Sequence, residues 1–125
     1  LDGMPLVDAI RRIDVEVTPP PLHYLIGCVH PTTFRAARQH LRILPGDVAG
    51  RVIGLKANAS NLPPDQLDKL DHLEEGQPER FAELMLDLRR DYGLRLLGGC
   101  CGTDDRHIRA IASRVAAESS ERRPA

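Results

Sequence analysis

Cys28, Cys100 and Cys101 are the cysteines of this 125-residue sequence, and two of them are adjacent. Three thiols cannot all pair within one chain. No secretory signal opens the sequence, so reduced thiols are expected over disulfides. Buried packing, redox chemistry and metal binding remain as roles. Redox ranks last, because the usual Cys-x-x-Cys spacing is missing and adjacent cysteines strain a disulfide. Cys28 taken alone reads as a small buried hydrophobe. A bare Cys-Cys pair reads as core packing or a vicinal disulfide. The glycine frame changes the balance: Gly98, Gly99 and Gly102 surround the pair, and neighbouring cysteines reach one ion only where the backbone turns sharply. Thiolate sulfur suits tetrahedral zinc, and three protein ligands would leave the fourth position open, as catalysis requires. A helix opening at Asp104 would place its N-terminus close by and favour negative charge there.

The elements that must bring these residues together are legible as repeating units. Leu6, Ile10 and Ile13 have helical spacing from about Pro5. Thr18 and the Pro19-Pro20-Pro21 run break that helix. Tyr24 to Cys28 is apolar enough for a buried strand. Thr32 or Thr33 can cap a helix to about Leu41, with Phe34, Ala37 and Leu41 on one face. His30 reads as helping to begin it. In the second unit Val52 to Leu55 form a strand leading to Lys56, Ala57 and Asn58. A polar loop from Ser60 to about Gly76 follows and allows a short helix from Pro64 to Leu73. Pro78 opens a helix with Phe81, Leu84, Met85 and Leu88 on one stripe, ended by Tyr92 and Gly93. In the third unit Leu94 to Leu97 form a strand. Asp104 caps a helix striped by Ile108, Ile111, Ala112 and Val115, and His107 in its first turn reads as a packing or hydrogen-bonding residue. The tail from about Ser119 to Ala125 is expected to fray.

Three strand-then-helix units imply a parallel sheet with helices packed outside it. Ligands in such sheets bind at the carboxyl ends of the strands. Cys28 ends the first strand, Asn58 follows the second, and Cys100 and Cys101 follow the third, so all of them land on one rim.

Composition narrows the function classes. A formal net charge of −1 gives no basic field for nucleic acid or an anionic membrane. No apolar stretch reaches the roughly 20 residues that cross a bilayer, so the expected compartment is the cytoplasm. The acidic residues Asp71, Glu74 and Glu75 read as solvated surface, and His23, His40 and His72 have no partner visible in sequence. Two Phe, two Tyr and no Trp leave an aliphatic core. The sequence begins with Leu1, and its first ten residues already read as loop and helix, so it reads as a piece of something longer.

Gly98-Gly99-Cys100-Cys101-Gly102-Thr103, with His107-Ile108 shortly after, resembles the closing signature of the homocysteine S-methyltransferase family. That family includes the betaine and S-methylmethionine enzymes and the homocysteine module of cobalamin-dependent methionine synthase. Cys28 resembles the family's first zinc cysteine, and the similarity runs from Asp2-Gly3-Met4-Pro5-Leu6 to the last helix. The resemblance implies an α/β fold of the (β/α)8 TIM-barrel type, with residues 1–118 supplying the last three strand–helix units. It implies Zn2+ on Cys28, Cys100 and Cys101, with the sulfur of homocysteine at the open position. A methyl donor of unidentified kind then gives methionine. Asn58 and Gly99 are the residues assigned to substrate, and no catalytic group beyond the zinc ligands is assigned. The chain departs from the family pattern at Gly27, where Asn is usual, at Lys56, where an aromatic residue is common, and at Asp105 in place of Pro. It also lacks the family's N-terminal Gly- and Asp-rich segment. The partners implied are homocysteine, the donor, and a chain or domain supplying the missing barrel strands. The competing reading is a truncated or split fragment that binds zinc without independent activity.

Overall fold

The computed structural model of the chain describes residues 3–40, 45–62, 64–67 and 76–122. Its elements are α1 (Leu6–Glu16), β1 (Tyr24–Val29), α2 (Pro31–His40), α3 (Gly46–Ala49), β2 (Val52–Ala57), α4 (Pro64–Leu67), α5 (Pro78–Tyr92), β3 (Leu96–Gly99) and α6 (Asp105–Glu121). The expected continuation of the Pro64 helix to Leu73, the acidic residues Asp71, Glu74 and Glu75, His72, and the helix end at Leu41 lie outside the described residues. No helix among the described residues is long and apolar enough to cross a membrane.

The strands form one parallel sheet in the order β1-β2-β3. Parallel neighbours need long crossovers, and α2 with α3, then α4 with α5, lie in them. Side chains alternate across a strand, and the register turns that alternation into rows. Ile26, Leu55 and Leu97 are cross-strand partners and face the helices. They meet a core of Phe34, Phe81, Met85, Leu86, Leu88 and Ile111. The preceding row is Leu25, Gly54 and Leu96, on the opposite face. There Leu25 is 52% and Leu96 48% exposed. A Cβ on Gly54 would lie 2.8 Å from Leu96 Cβ and 2.9 Å from Leu25 Cδ2, so the two leucines close over the glycine. Gly27, Lys56 and Gly98 make the next row of that face. No described element covers it.

At the lower end of the strands, Ile10, Val48 and Val52 form a second apolar cluster. Arg51 grips both carboxylate oxygens of Asp14 at 2.6 and 2.7 Å there, tying α1 to the start of β2. Such bidentate pairs fix orientation as well as distance.

The helices follow their sequence signals with local adjustments. Pro78 occupies the first turn of α5, and Gly93 ends it in the left-handed region at φ 68°, with its N–H on the Arg89 carbonyl. Of the expected stripe, Phe81, Met85 and Leu88 are buried, whereas Leu84 is half-buried and Ala82 and Leu86 are buried in its place. In α6 the buried side is His107, Ala110 and Ile111, while Ile108 is 45% exposed. The stripe sits one position earlier than the aliphatic pattern suggests, because a histidine takes part in it. α6 also runs through Glu121, beyond Ser119, where fraying was expected. Ser119 and Ser120 return their hydroxyls to the carbonyls of Val115 and Ala116. β3 is shifted two residues toward the cysteines. Leu94 is buried, but the ladder continues through Gly98 and Gly99 opposite Lys56 and Ala57. Backbone pairing needs no apolar side chain, so that extension has no hydropathy signal.

Candidate metal centre

Two backbone devices present the three cysteines. Cys28 lies in β1 at a register irregularity between Gly27 and Val29, and it is the only non-glycine among the described residues with positive φ, at 57°. A β-bulge re-aims a side chain, and an L-residue held in the left-handed region needs surroundings that enforce it. Gly27 faces the open side of the sheet and Val29 packs on the helix-side core. The extra residue between them is thereby turned out at the rim.

Cys100 and Cys101 sit in the turn from β3 to α6. The Cys100 N–H donates to the Ala57 carbonyl at 2.7 Å, and the Cys101 carbonyl accepts from the Ala59 N–H at 2.9 Å. Asn58, 2% exposed, joins the three strand ends. Its N–H donates to the Val29 carbonyl at 3.0 Å, and its Oδ1 accepts from the Cys101 N–H at 3.1 Å. Thr103 closes the turn: its hydroxyl donates to the Cys100 carbonyl at 2.7 Å. Gly99 makes that possible, because a Cβ there would stand 2.6 Å from Thr103 Cβ and closer still to the Thr103 hydroxyl oxygen. Gly102 completes the turn at φ 75°.

The three sulfurs converge. Cys28 Sγ is 3.0 Å from Cys100 Sγ and 3.9 Å from Cys101 Sγ, and Cys100 and Cys101 are 4.0 Å apart. All three ligand atoms lie within 4.8 Å of one another. Tetrahedral zinc with sulfur at roughly 2.3 Å sets sulfur–sulfur edges of about 3.8 Å. Two of the three edges match, and the Cys28–Cys100 edge must open by a little under ~1 Å, within the reach of side-chain rotation. The donor set and its spacing fit one thiophilic ion such as zinc.

The thiols are electrostatically unequal. Hydrogen bonding to Cys100, and then to Cys101, pushes the Cys28 thiol up to about 11. Cys100 is held below its ordinary value, first by accepting from Cys28 and also by the charge of Lys56.

The start of α6 is rigidly capped. Asp104 accepts from the Arg106 N–H at 2.9 Å, and its own N–H donates to His107 Nδ1 at 3.2 Å. The Arg106 side chain, with His107 contributing, holds the Asp104 carboxyl well below the usual carboxylate range. His107 is fully buried, with its ring edge-on to Phe81 at 5.4 Å. It packs and caps, in agreement with its sequence reading. His30 likewise begins α2: its Nδ1 accepts from the Thr32 N–H at 3.3 Å, and burial lowers its pKa.

The sequence reading placed Cys28, Asn58, Cys100 and Cys101 on one rim, and the structure brings these four together, with Gly99 closing β3 immediately before the cysteine pair. It adds Thr103, whose latch on the Cys100 carbonyl has no sequence signal beyond membership in the Gly-Gly-Cys-Cys-Gly-Thr motif. It also gives Asn58 a bond to the cysteine turn that spacing alone does not announce.

The family model for homocysteine S-methyltransferase matches residues 1–115. Methionine synthase of Mycobacterium leprae (strain TN) is 48% identical over 40 residues, 32% of this chain and 3% of that protein. Methionine synthase of Mycobacterium tuberculosis (strain ATCC 25618 / H37Rv) is 46% identical over 39 residues, 31% of this chain and 3% of that protein. The matched stretch therefore spans a small fraction of these relatives. No solved structure matches the chain. With three converging thiols on the rim of a parallel sheet and a family match over most of its length, the chain belongs to the homocysteine S-methyltransferase family.

Proposed function

We propose that this chain carries the zinc- and homocysteine-binding part of an enzyme that methylates the homocysteine thiol to give methionine. The observation that carries the reading is the convergence of Cys28, Cys100 and Cys101 within 4.8 Å at the carboxyl ends of parallel strands. The three thiolates would hold zinc and leave one tetrahedral position for a substrate sulfur. Bound there, the ion supplies Lewis acidity that keeps a thiol in its nucleophilic thiolate form at neutral pH.

The chain's own residues supply positioning. Asn58 and Thr103 fix the Cys100-Cys101 turn through backbone bonds, so the ligands meet the ion with little reorganisation. Asn58 keeps its amide group beside the site, and we assign it and Gly99 to the substrate. Gly99 acts there through its backbone, because Thr103 fills the space on its Cβ side. The methyl donor, of unidentified kind, would give up its methyl group to the thiolate sulfur in line, the new S–CH3 bond forming as the bond from that methyl to the donor breaks and the donor leaves with its electron pair.

A (β/α)8 barrel is the architecture we assign to the whole, with residues 1–118 as its last three units. The open row of Leu25 and Leu96 favours further strands from elsewhere covering that face, since large exposed apolar surfaces mark interaction sites. Without those strands the chain would hold metal but not turn over. The cytoplasm is the compartment we assign, where reduced thiols persist.

Zinc stoichiometry, with X-ray absorption of the metal's sulfur shell, tests the reading. About one zinc per chain, with three sulfurs rising to four on adding homocysteine, is expected. Freshly reduced protein that takes up no zinc would sink it.

A further inference from the structure

Lys56 is the one charged side chain on the open-face rows of the sheet. It stands in register between Gly27 on one side and Gly98 on the other, so neither cross-strand partner sets a side chain against it. A Cβ on Gly98 would lie 3.5 Å from Lys56 Cγ, whereas nothing lies within 4 Å of the corresponding position on Gly27. The lysine stem therefore runs beside Gly98, two residues before Cys100, and leaves free space toward the strand that carries Cys28. No carboxylate of the described residues pairs with Lys56. An ammonium on a face otherwise built of leucine and glycine, one row below three thiols, is placed to meet an anion that arrives attached to a thiol.

We propose that Lys56 is a specificity-determining residue that pairs with the carboxylate of an amino-acid thiol bound at Cys28, Cys100 and Cys101. This rests on the reading of the site given above. The free space over Gly27 is the berth for the carbon chain between the substrate's sulfur and its carboxylate. Lys56 then distinguishes a thiol acid from a thiol of the same length without the acid. A compact ammonium on a flexible stem suits this task, since it can follow the carboxylate without a fixed fork geometry.

The test uses the protein loaded with Co2+ in place of zinc, so that thiol binding is read from the sulfur-to-metal absorption band and needs no turnover. Homocysteine and 3-mercaptopropylamine, which lacks the carboxylate, are titrated into the wild type, Lys56→Met and Lys56→Arg. Lys56→Met is expected to weaken homocysteine by about tenfold or more, the range of a hydrogen bond to a charged group. It should leave 3-mercaptopropylamine unchanged, and Lys56→Arg should recover most of the loss. Equal weakening of both thiols would overturn the proposal and make Lys56 a counter-charge for the thiolates. Unchanged homocysteine binding in Lys56→Met would overturn it as well. A wild type that takes up no Co2+ at all would instead refute the metal site itself, an outcome visible before any lysine variant is made.

Discussion

The two faces of the same three strands have been put to different uses. On the helix side, Ile26, Leu55 and Leu97 enter a continuous apolar core with α5 and α6. On the other side, one row is Leu25, Gly54 and Leu96 and the next is Gly27, Lys56 and Gly98. The first face is filled to the point where Leu55 has no exposure at all. The second is kept low by glycine, and its one cation stands beside the cysteines. Alternation along a strand lets one segment hold the fold with every second residue and shape a chemical surface with the others. The cysteines belong to neither pattern. They sit at the strand ends, where a bulge and a glycine-framed turn release the chain from alternation.

The comparison can be broken or sharpened by substitution. The largest effect is expected at the rim: Cys100→Ser or Cys101→Ser should abolish zinc retention, because a neutral hydroxyl replaces a thiolate ligand. Full metal content in either variant, measured by elemental analysis after desalting, would separate the cysteines from metal binding. Next, Leu55→Ala on the covered face should cost about 2–5 kcal/mol in denaturant unfolding, the range for a buried leucine that leaves a cavity. A loss below 1 kcal/mol would mean that the face is not a packed core.

Asn58→Ala removes the acceptor for the Cys101 N–H. Partners that orient metal ligands typically contribute 10–100-fold in affinity, so a chelator competition should show zinc held that much more weakly. An unchanged affinity would leave Asn58 with substrate contact alone. The smallest effect is expected on the open face. Leu25→Ala should change stability by no more than about 0.5 kcal/mol, as for other exposed sites. A cost like that of Leu55→Ala would show that this face is covered in solution, and would strengthen the assignment to a larger barrel.

Much of this was legible in the sequence because its signals are local. The α5 stripe of Phe81, Met85 and Leu88, the Pro78 start and the Gly93 stop need only helical periodicity and backbone stereochemistry. The same holds for Asp104 as the α6 cap. The strand-then-helix order fixed parallel pairing, because a parallel neighbour can be reached only through a crossover. That order also placed the cysteines and Asn58 on one rim. Other features depend on residues far apart in sequence. The left-handed backbone of Cys28 follows from β1 losing register against β2. The bond from Asn58 to Cys101 spans two strand–helix units. The isolation of Lys56 between two glycines is a matter of register, which the alternation of one strand cannot specify for its neighbours. Residue type and spacing determined which groups could bind metal and which end of the sheet would present them. Tertiary structure alone decided how close the sulfurs come and what stands beside them, because those distances are set by the packing and pairing of strands that the chain brings together from remote positions.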